Sequence, residues 1–223
     1  MKFGNETIAI LKNFALINPS IQFKAGHVIS TTSPTETIMA SATIPDKIDQ
    51  TFCIYDLSRL INTLALMSDP TITLDGSTLI ITDGKSVVNY RCASADTIIL
   101  PSKKKLSIPP PEISLSITYS MISALFKAMG VLGLKDVAIN GDGTSLSLQA
   151  FDSEGQIENK YRIIVGETDK IFNVVFKLDN LKLLPLDYYV EISRKDQHAI
   201  SKFIGNKYDA QYYIAVDEKS TYQ

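Results

Sequence analysis

The sequence repeats one order of elements, and this internal repeat constrains its fold more than any other feature. An amphipathic helix is predicted over residues 6–18 and again over 118–130, and the stretch 54–60 has a counterpart at 176–182. A repeat of about 105 residues is too long for a solenoid unit, and each copy can hold a core of its own. We therefore predict two similar domains in tandem, residues 1–101 and 113–223, joined by a connector over 102–112.

Each copy combines helices with alternating strands, which indicates an α+β fold. The stretches 71–74, 78–82 and 87–92 alternate in polarity and are separated by Asp-Gly pairs, a pattern typical of a meander. In the second copy, strands are predicted over 137–139 and 146–148 around a turn at 140–143, and over 160–165 and 188–193. The connector has a lysine run followed by three prolines, so it is expected to be extended and exposed.

The predicted helices share one surface property, which is a sparse polar face with a single basic residue. In the second helix the apolar stripe runs from Leu57 to Met67 with Asp56 as N-cap, and in the first helix Asn13 is expected to face outward. A fourth helix is predicted over 178–184, stopped by Pro185. The basic residues, one per helix, are Lys12, Arg59, Lys127 and Lys182.

Composition places the chain among globular proteins, because 45% of its 223 residues are hydrophobic and 21% are charged. Asn5, Glu6 and Lys12 interrupt the N-terminal apolar run before a signal peptide could form, so we expect a cytoplasmic protein without membrane contact. A net charge of −2 argues against dense phosphate binding, although many acidic residues lie in predicted turns and connections rather than in helices.

Motifs of enzymes and metal proteins are incomplete in this chain. Gly84-Lys85-Ser86 ends like a phosphate-binding loop, but Leu79 stands where the motif needs glycine and no helix follows. The sequence Asn140-Gly141-Asp142-Gly143 lacks the last carboxylate of a calcium loop and favours a hairpin turn. We therefore expect no enzymatic activity, metal or cofactor.

The histidines and cysteines likewise lack the patterns of a catalytic or metal site. His27 and His198 have no nucleophile motif around them and are expected at the surface or at strand ends. Cys53 and Cys92 lie in apolar, strand-like contexts without the spacing of metal ligands, which favours buried, reduced thiols.

Many short segments, taken in order along the chain, resemble the DNA polymerase sliding clamps of T-even-type phages. None is a catalytic signature, and the resemblance is strongest in the first 70 residues. The first copy contributes Met1-Lys2, Leu11-Lys12-Asn13-Phe14-Ala15, Ile17-Asn18 and Ile54-Tyr55-Asp56-Leu57, and the second contributes residues 129–139, Leu181-Lys182, Pro185 and Tyr212-Tyr213-Ile214-Ala215.

The resemblance implies both architecture and function. In this family each domain is a sheet with two helices, and six such domains close a ring, which gives a homotrimer for a two-domain chain. Helices line the hole, so the clamp encircles duplex DNA and tethers the replicative polymerase without catalysis. The implied partners are duplex DNA, the C-terminal tail of the polymerase, an ATP-dependent clamp loader and, in relatives, late-transcription factors. The implied location is the cytoplasm of an infected host cell.

The resemblance also assigns candidate site residues, each with an ordinary alternative. The four helix cations are expected to face DNA, although any one of them could be a solvated side chain. Two strands are expected to pair between subunits, unless their charges keep them apart as plain edges; these residues are Val87, Val88, Asn89, Tyr90, Arg91, Lys160, Tyr161, Arg162, Ile163 and Ile164. A pocket for partner tails is expected at Leu106, Ile108, Pro110, Tyr213 and Ala215, although the connector residues could simply anchor to the core.

Two other functions stay open at this point. A monomeric tandem-domain module that binds a protein or ligand and ignores DNA would explain the repeat equally well. An enzyme with an unrecognised site is the weakest alternative, because no nucleophile, metal or nucleotide motif is complete. The lysine run 103–105 is compatible with a solvated face in every case.

Overall fold

The computed structural model describes residues 1–102, 108–155, 158–195 and 198–222. It divides into two compact units, which we call the first unit (Met1–Leu106 with Tyr208–Gln211) and the second unit (Ser107–Lys207 with Tyr212–Gln223). The main division of the chain thus falls within the stretch 102–112 that was predicted as a connector. In the described parts of the chain, no helix is long and apolar enough to cross a lipid bilayer.

The described residues of the first unit form two α-helices and three small antiparallel ladders. The ladders are β1 with β4, β2 with β3, and the meander β5-β6-β7, in which β7 lies within the predicted range 87–92. The elements are α1 (Asn5–Ile17), β1 (Ile21–Phe23), β2 (Gly26–Thr32), β3 (Ile38–Ile48), β4 (Phe52–Ile54), α2 (Leu57–Leu64), β5 (Thr71–Asp75), β6 (Thr78–Thr82) and β7 (Val87–Arg91).

Both helices of the first unit form where the apolar period predicts them, but α2 ends at Leu64, so Met67 at the end of the predicted stripe lies outside it. The Asp56 carboxylate accepts a hydrogen bond of 2.8 Å from the Arg59 amide, so Asp56 is the N-cap of α2 as predicted. The buried face of α2 carries Leu57, Leu60, Ile61 and Leu64. The prediction for Asn13 on α1 was wrong, because Asn13 is buried alongside the apolar residues of that helix.

In the second unit, the part of the chain that the structure describes forms one α-helix and two larger sheets. Thr118 caps the helix through a hydrogen bond from the Met121 amide, and the helix ends at Gly133, whose φ of 69° is left-handed. One sheet has the order β11-β10-β9-β12-β16, and β15, β14, β13 and β8 lie side by side in the other. The elements are β8 (Ile113–Ile117), α3 (Tyr119–Leu132), β9 (Asp136–Asp142), β10 (Ser145–Phe151), β11 (Tyr161–Glu167), β12 (Ile171–Lys177), β13 (Tyr188–Lys195), β14 (His198–Gly205), β15 (Gln211–Ala215) and β16 (Thr221–Tyr222).

The predicted fourth helix is not a helix. Only a single 3₁₀ turn, Leu178–Asn180, forms there, and residues 181–187, which we call the strap, have no regular structure. The Leu184 amide donates to the Tyr212 hydroxyl at 3.3 Å, and the Tyr188 hydroxyl donates to the Leu184 carbonyl at 2.9 Å. Both tyrosines are buried, so their hydroxyls satisfy backbone groups that a helix would have paired internally.

Burial raises the pKa of both tyrosine hydroxyls well above the ordinary value. Both phenols therefore stay protonated throughout the neutral range, which the hydrogen bond from Tyr188 to the strap requires. The shape of the strap is thus set by two side chains that lie on β13 and β15.

The predicted turn over 140–143 is shorter than the sequence suggests, because Asn140, Gly141 and Asp142 continue strand β9. Gly141 lies opposite Phe172 of β12, and the two backbones approach closely. A Cβ atom at Gly141 would lie 2.6 Å from Cε1 of Phe172 and 2.7 Å from the carbonyl oxygen of Lys170. Glycine is therefore required here for space, since real Cβ atoms do not approach backbone oxygens this closely.

A partly buried ion pair lies at one end of the β9-β12 ladder, where the Lys177 side chain is 41% exposed and Asp136 is buried. The Asp136 carboxylate is 1% exposed, lies 3.0 Å from the Lys177 ammonium and accepts a hydrogen bond of 2.9 Å from the Ser153 amide. Burial alone would raise the pKa of Asp136, but the hydrogen bonds from Ser153 and Lys177 outweigh burial and lower the pKa below its usual value.

This ion pair predicts a dependence of stability on pH. Because the pKa of Asp136 is lower in the folded state, its contribution is complete above the unfolded value of about 4 and is lost as pH falls through the folded value. We expect Asp136→Asn to lower the free energy of unfolding by about 1–3 kcal/mol at pH 7, and by less as the pH approaches 3. Urea unfolding at several pH values measures this difference.

The matched control is Asp69→Asn, which makes the same chemical change at the exposed ion pair with Lys2. Exposed pairs contribute little, so its effect on unfolding should be small at every pH. A difference for Asp136→Asn that stays constant from pH 7 to pH 3 would contradict the assigned linkage.

Candidate functional site

Three of the four predicted cations lie on the exposed faces of helices. Lys12 lies in the middle of α1, Arg59 lies in the first turn of α2, and Lys127 lies in the middle of α3. All three side chains are exposed. The fourth, Lys182, is half-buried in the strap, so its placement on a helix was wrong.

Lys12 and Lys127 each line an open groove beside their helix, one in each unit. In the first unit, the groove of about 440 Å³ lies between α1 and the last turn of α2, with Asn62 opposite Lys12. In the second unit, the groove of about 530 Å³ lies between α3 and the strap, with Ser123 and Leu183 near Lys127. The repeat thus places one lysine in the same kind of groove twice.

The cations differ in how far their charge is already compensated. Arg59 lies 3.4 Å from the carboxylate of Asp56, its own N-cap residue. Within the part of the chain that the structure describes, Lys12 and Lys127 form no such ion pair. The two lysines are therefore the stronger candidates for binding phosphate, because no carboxylate has to be displaced.

The two strands predicted to join subunits both lie at sheet edges. β7 is the last strand of the meander, and β11 is the first strand of the five-stranded sheet. β11 begins at Tyr161, so Lys160 precedes the strand instead of opening it. Each strand exposes a large apolar residue, since Val87 is 64% exposed and Ile164 is 65% exposed. Exposed apolar edges are the type of surface that pairs with another chain.

Two further exposed apolar residues lie next to these elements and were missed from the sequence. Val131, in the last turn of α3, is 84% exposed on a helix that packs beside β11. Leu66, just after α2, is 79% exposed. It lies two residues before Ser68, whose backbone is close to the carboxylate of Asp83 in the turn that precedes β7. Only their exposure in the structure marks these two residues as candidates, and the pattern of apolar and polar residues in the sequence does not reveal it.

The predicted partner pocket is only partly described. Tyr213 and Ala215 are half-buried on β15, Ile108 is half-buried, and Pro110 is exposed. Leu106 lies outside the described residues, as does the lysine run 103–105. Above Tyr213, the ammonium of Lys202 lies 5.8 Å from the ring centroid, a cation–π contact that the sequence did not reveal.

The residues considered as catalytic or metal-binding candidates lie in structural positions. The Asp83 carboxylate accepts hydrogen bonds from the amides of Lys85 and Ser86, at 3.0 and 2.8 Å, so Gly84-Lys85-Ser86 is a hairpin turn. Cys53 is buried and Cys92 half-buried, both as free thiols. Among the described residues, no group of three or more potential ligands could hold a metal ion.

Comparison with known proteins accounts for nearly the whole chain. Residues 4–100 match the family model described as DNA polymerase processivity factor. Residues 117–218 match the model described as gp45 sliding clamp, C terminal. The chain belongs to the phage sliding-clamp family. The two matches correspond to the two copies of the repeat, so each half of this clamp is recognised as a clamp domain.

Similar proteins agree with this assignment along the full length. The clamp is 29% identical to the sliding clamp of Escherichia phage RB69 and 28% identical to that of Enterobacteria phage T4, each over 100% of this chain and 99% of the relative. A solved structure titled as the C-terminal region of FEN-1 bound to A. fulgidus PCNA has a TM-score of 0.61 and 15% identity, with 94% of each chain covered. At that identity, the likeness shows the clamp fold alone.

Proposed function

We propose that this clamp closes into a ring of three copies that encircles duplex DNA and tethers the replicative DNA polymerase without catalysing a reaction. The observation that carries the proposal is the pair of unpaired edges, β7 and β11, each with a large exposed apolar residue. Joining β7 of one copy to β11 of the next covers both edges at once. A head-to-tail contact of this kind forms a ring when its rotation closes.

Electrostatics support a surface that attracts DNA without holding it at one position. The net charge is −2, and each helix exposes a single cation instead of a basic cluster. Contacts to phosphates do not depend on base sequence, so sparse lysines favour association without fixing the register. A closed ring needs little affinity, because topology alone keeps it on the DNA.

Partners follow from the same proposal. The apolar residues Ile108, Tyr213 and Ala215 would receive the C-terminal tail of the polymerase, and Pro110 and Leu106 belong to the same proposed pocket. A closed ring has to be opened before DNA enters, which requires a clamp loader that uses ATP. The site of action is the cytoplasm of the infected host cell, where late-transcription factors could use the same pocket.

Sedimentation equilibrium over a wide concentration range tests the ring directly. We expect a species with three times the 24.6 kDa of one chain, which dissociates only on dilution. A loaded ring should stay on nicked circular DNA and leave linear DNA through its ends. A monomer at high concentration would overturn the proposal and favour a tandem binding module instead.

The unpaired lysines give a graded prediction for DNA association. We expect Lys12→Gln and Lys127→Gln each to lower the salt slope of association by up to about three, because a ring of three copies loses three lysines and neutralises up to three phosphates fewer. Arg59→Gln should lower the slope less, since Asp56 already compensates that charge. The measurement is processive primer extension with the polymerase and loader across a range of salt concentrations.

Lys24→Gln is the control, since Lys24 is an exposed lysine between β1 and β2. It should leave the salt slope unchanged. If Lys24→Gln and Lys12→Gln had equal effects, the DNA-facing assignment of α1 would be wrong.

A further inference from the structure

The solvent-facing side of the neighbouring strands β13, β14 and β15 carries aromatic, apolar and charged side chains. Tyr188, Val190 and Ile192 of β13 are buried, so the residues between them point to the opposite face. The same alternation holds on β14 around Phe203 and on β15 around Tyr212. The outward residues on these three strands include Tyr189, Glu191, Lys202, Ile204, Tyr213 and Ala215.

The register brings these residues together in pairs. Tyr189 lies directly across from Ile204, and Glu191 lies directly across from Lys202. Tyr189 is 45% exposed, so an apolar surface is accessible to solvent beside Glu191 and Lys202. Tyr213, on the next strand, extends this surface on the other side of Lys202.

The ammonium of Lys202 lies over an aromatic ring. Its ammonium lies 5.8 Å from the centroid of the Tyr213 ring, while Glu191 faces it across the strand pair. Throughout the described ranges, no carboxylate lies within ion-pair distance of Lys202. The cation is thus held at the border of an apolar surface with its charge available to an incoming anion.

We propose that Lys202 binds the terminal carboxylate of the partner tail and thereby fixes the direction in which the tail lies. This inference rests on the proposed function, since it takes the tail of the polymerase as the occupant. The apolar side chains at the end of the tail lie on Tyr213 and Ile204, and the carboxylate that follows them contacts the ammonium. A charged hydrogen bond at the edge of an apolar site adds specificity for a chain end.

Glu191 gives the site its selectivity. Its carboxylate lies across from Lys202, so it repels a second negative charge near the end of the tail. A tail that ends in apolar residues and carries only its terminal charge is favoured over one with adjacent acidic residues. Removing Glu191 should therefore strengthen binding, whereas removing Lys202 should weaken it.

The test uses the full clamp and a fluorescent peptide with the last dozen residues of the polymerase encoded by the same genome. The peptide is prepared with a free carboxylate and with an amidated end, and binding is followed by anisotropy. We expect the intact clamp to bind the free acid about five- to tenfold more tightly than the amide. Lys202→Met should abolish this preference, Lys202→Arg should restore it, and Glu191→Gln should tighten binding of the acid.

Each other outcome overturns a different statement. If the peptide binds but Lys202→Met keeps the full preference for the acid, the role of Lys202 is wrong and the pocket stands. If Lys202→Met weakens acid and amide equally, the terminal carboxylate is not the group that Lys202 binds. If neither peptide binds the intact clamp, the partner pocket itself fails. Lys135→Met, a change of an exposed lysine elsewhere in the second unit, should behave as the unchanged clamp.

Discussion

Ile164→Glu is expected to convert the proposed ring into single chains. Ile164 lies in the middle of β11 and is 65% exposed in one chain, but pairing with β7 would bury it in the joint. A buried carboxylate without a partner costs several kcal/mol, so each joint should weaken by at least about 3 kcal/mol. That loss corresponds to more than a hundredfold in association, and sedimentation equilibrium measures it directly.

Val28→Glu is the matched control for this change. Val28 is 58% exposed on β2, so the same residue type is introduced on a comparably exposed strand that has no part in the proposed joint. The assembled mass of the Val28→Glu variant should equal that of the unchanged protein. If the Ile164→Glu variant also kept the full assembled mass, β11 would not form the proposed joint, regardless of the number of copies in the assembly.

Gly141→Ala is expected to have the largest effect on stability. The added methyl group would lie 2.7 Å from a backbone oxygen and 2.6 Å from an aromatic ring, and the strands β9 and β12 would have to separate. Overpacking of this kind costs about 3 kcal/mol when a backbone atom has to move. Urea or thermal unfolding of the variant measures the loss.

Gly130→Ala is the opposite case on the same unit. Gly130 lies inside α3, and nothing lies within 4 Å of the position its Cβ would occupy. Alanine in a helix interior is favoured over glycine by about 0.5–1 kcal/mol, so this variant should be slightly more stable.

A stable Gly141→Ala variant would mean that the close approach of β9 and β12 relaxes easily.

Local patterns predicted the elements whose causes are local. Asp56 caps α2 as expected, because the N-cap carboxylate and the Arg59 amide that donates to it lie three residues apart. The range of β7 was close to correct, because its Asp-Gly turn and alternation are both short-range signals. The fold class followed from the repeat, and the matches of both halves to clamp families confirm it.

The failures have causes that are distant in sequence. The stretch 178–184 has a helical period, but hydroxyls from Tyr188 and Tyr212 bind Leu184 and hold the chain out of a helix. Asn140 and Gly141 form a common turn pair, yet here they continue a ladder whose partner begins at Ile171. Tyr188 lies only four residues from Leu184, but Tyr212 lies 28 residues away, and the partner strand of Gly141 begins only at Ile171, so a short window contains neither cause in full.

The candidate site was predicted in part for the same reason. A helical period places Lys12 and Lys127 on exposed faces, and the structure agrees. The pairing of Arg59 with Asp56 spans three residues and could have been anticipated from the sequence. The position of Lys202 against Tyr213 depends on the alignment of two strands, which the sequence does not encode locally.

The strap makes the two copies of the repeat unequal in their mutational tolerance. In the first unit, α2 satisfies its own backbone, so most residues on its polar face are free to vary one at a time. In the second unit, the same task falls on two hydroxyl groups, and phenylalanine would conserve the shape of Tyr188 or Tyr212 while orphaning Leu184. Because the strap is not a helix, tolerance to substitution in this segment depends on two positions in the core.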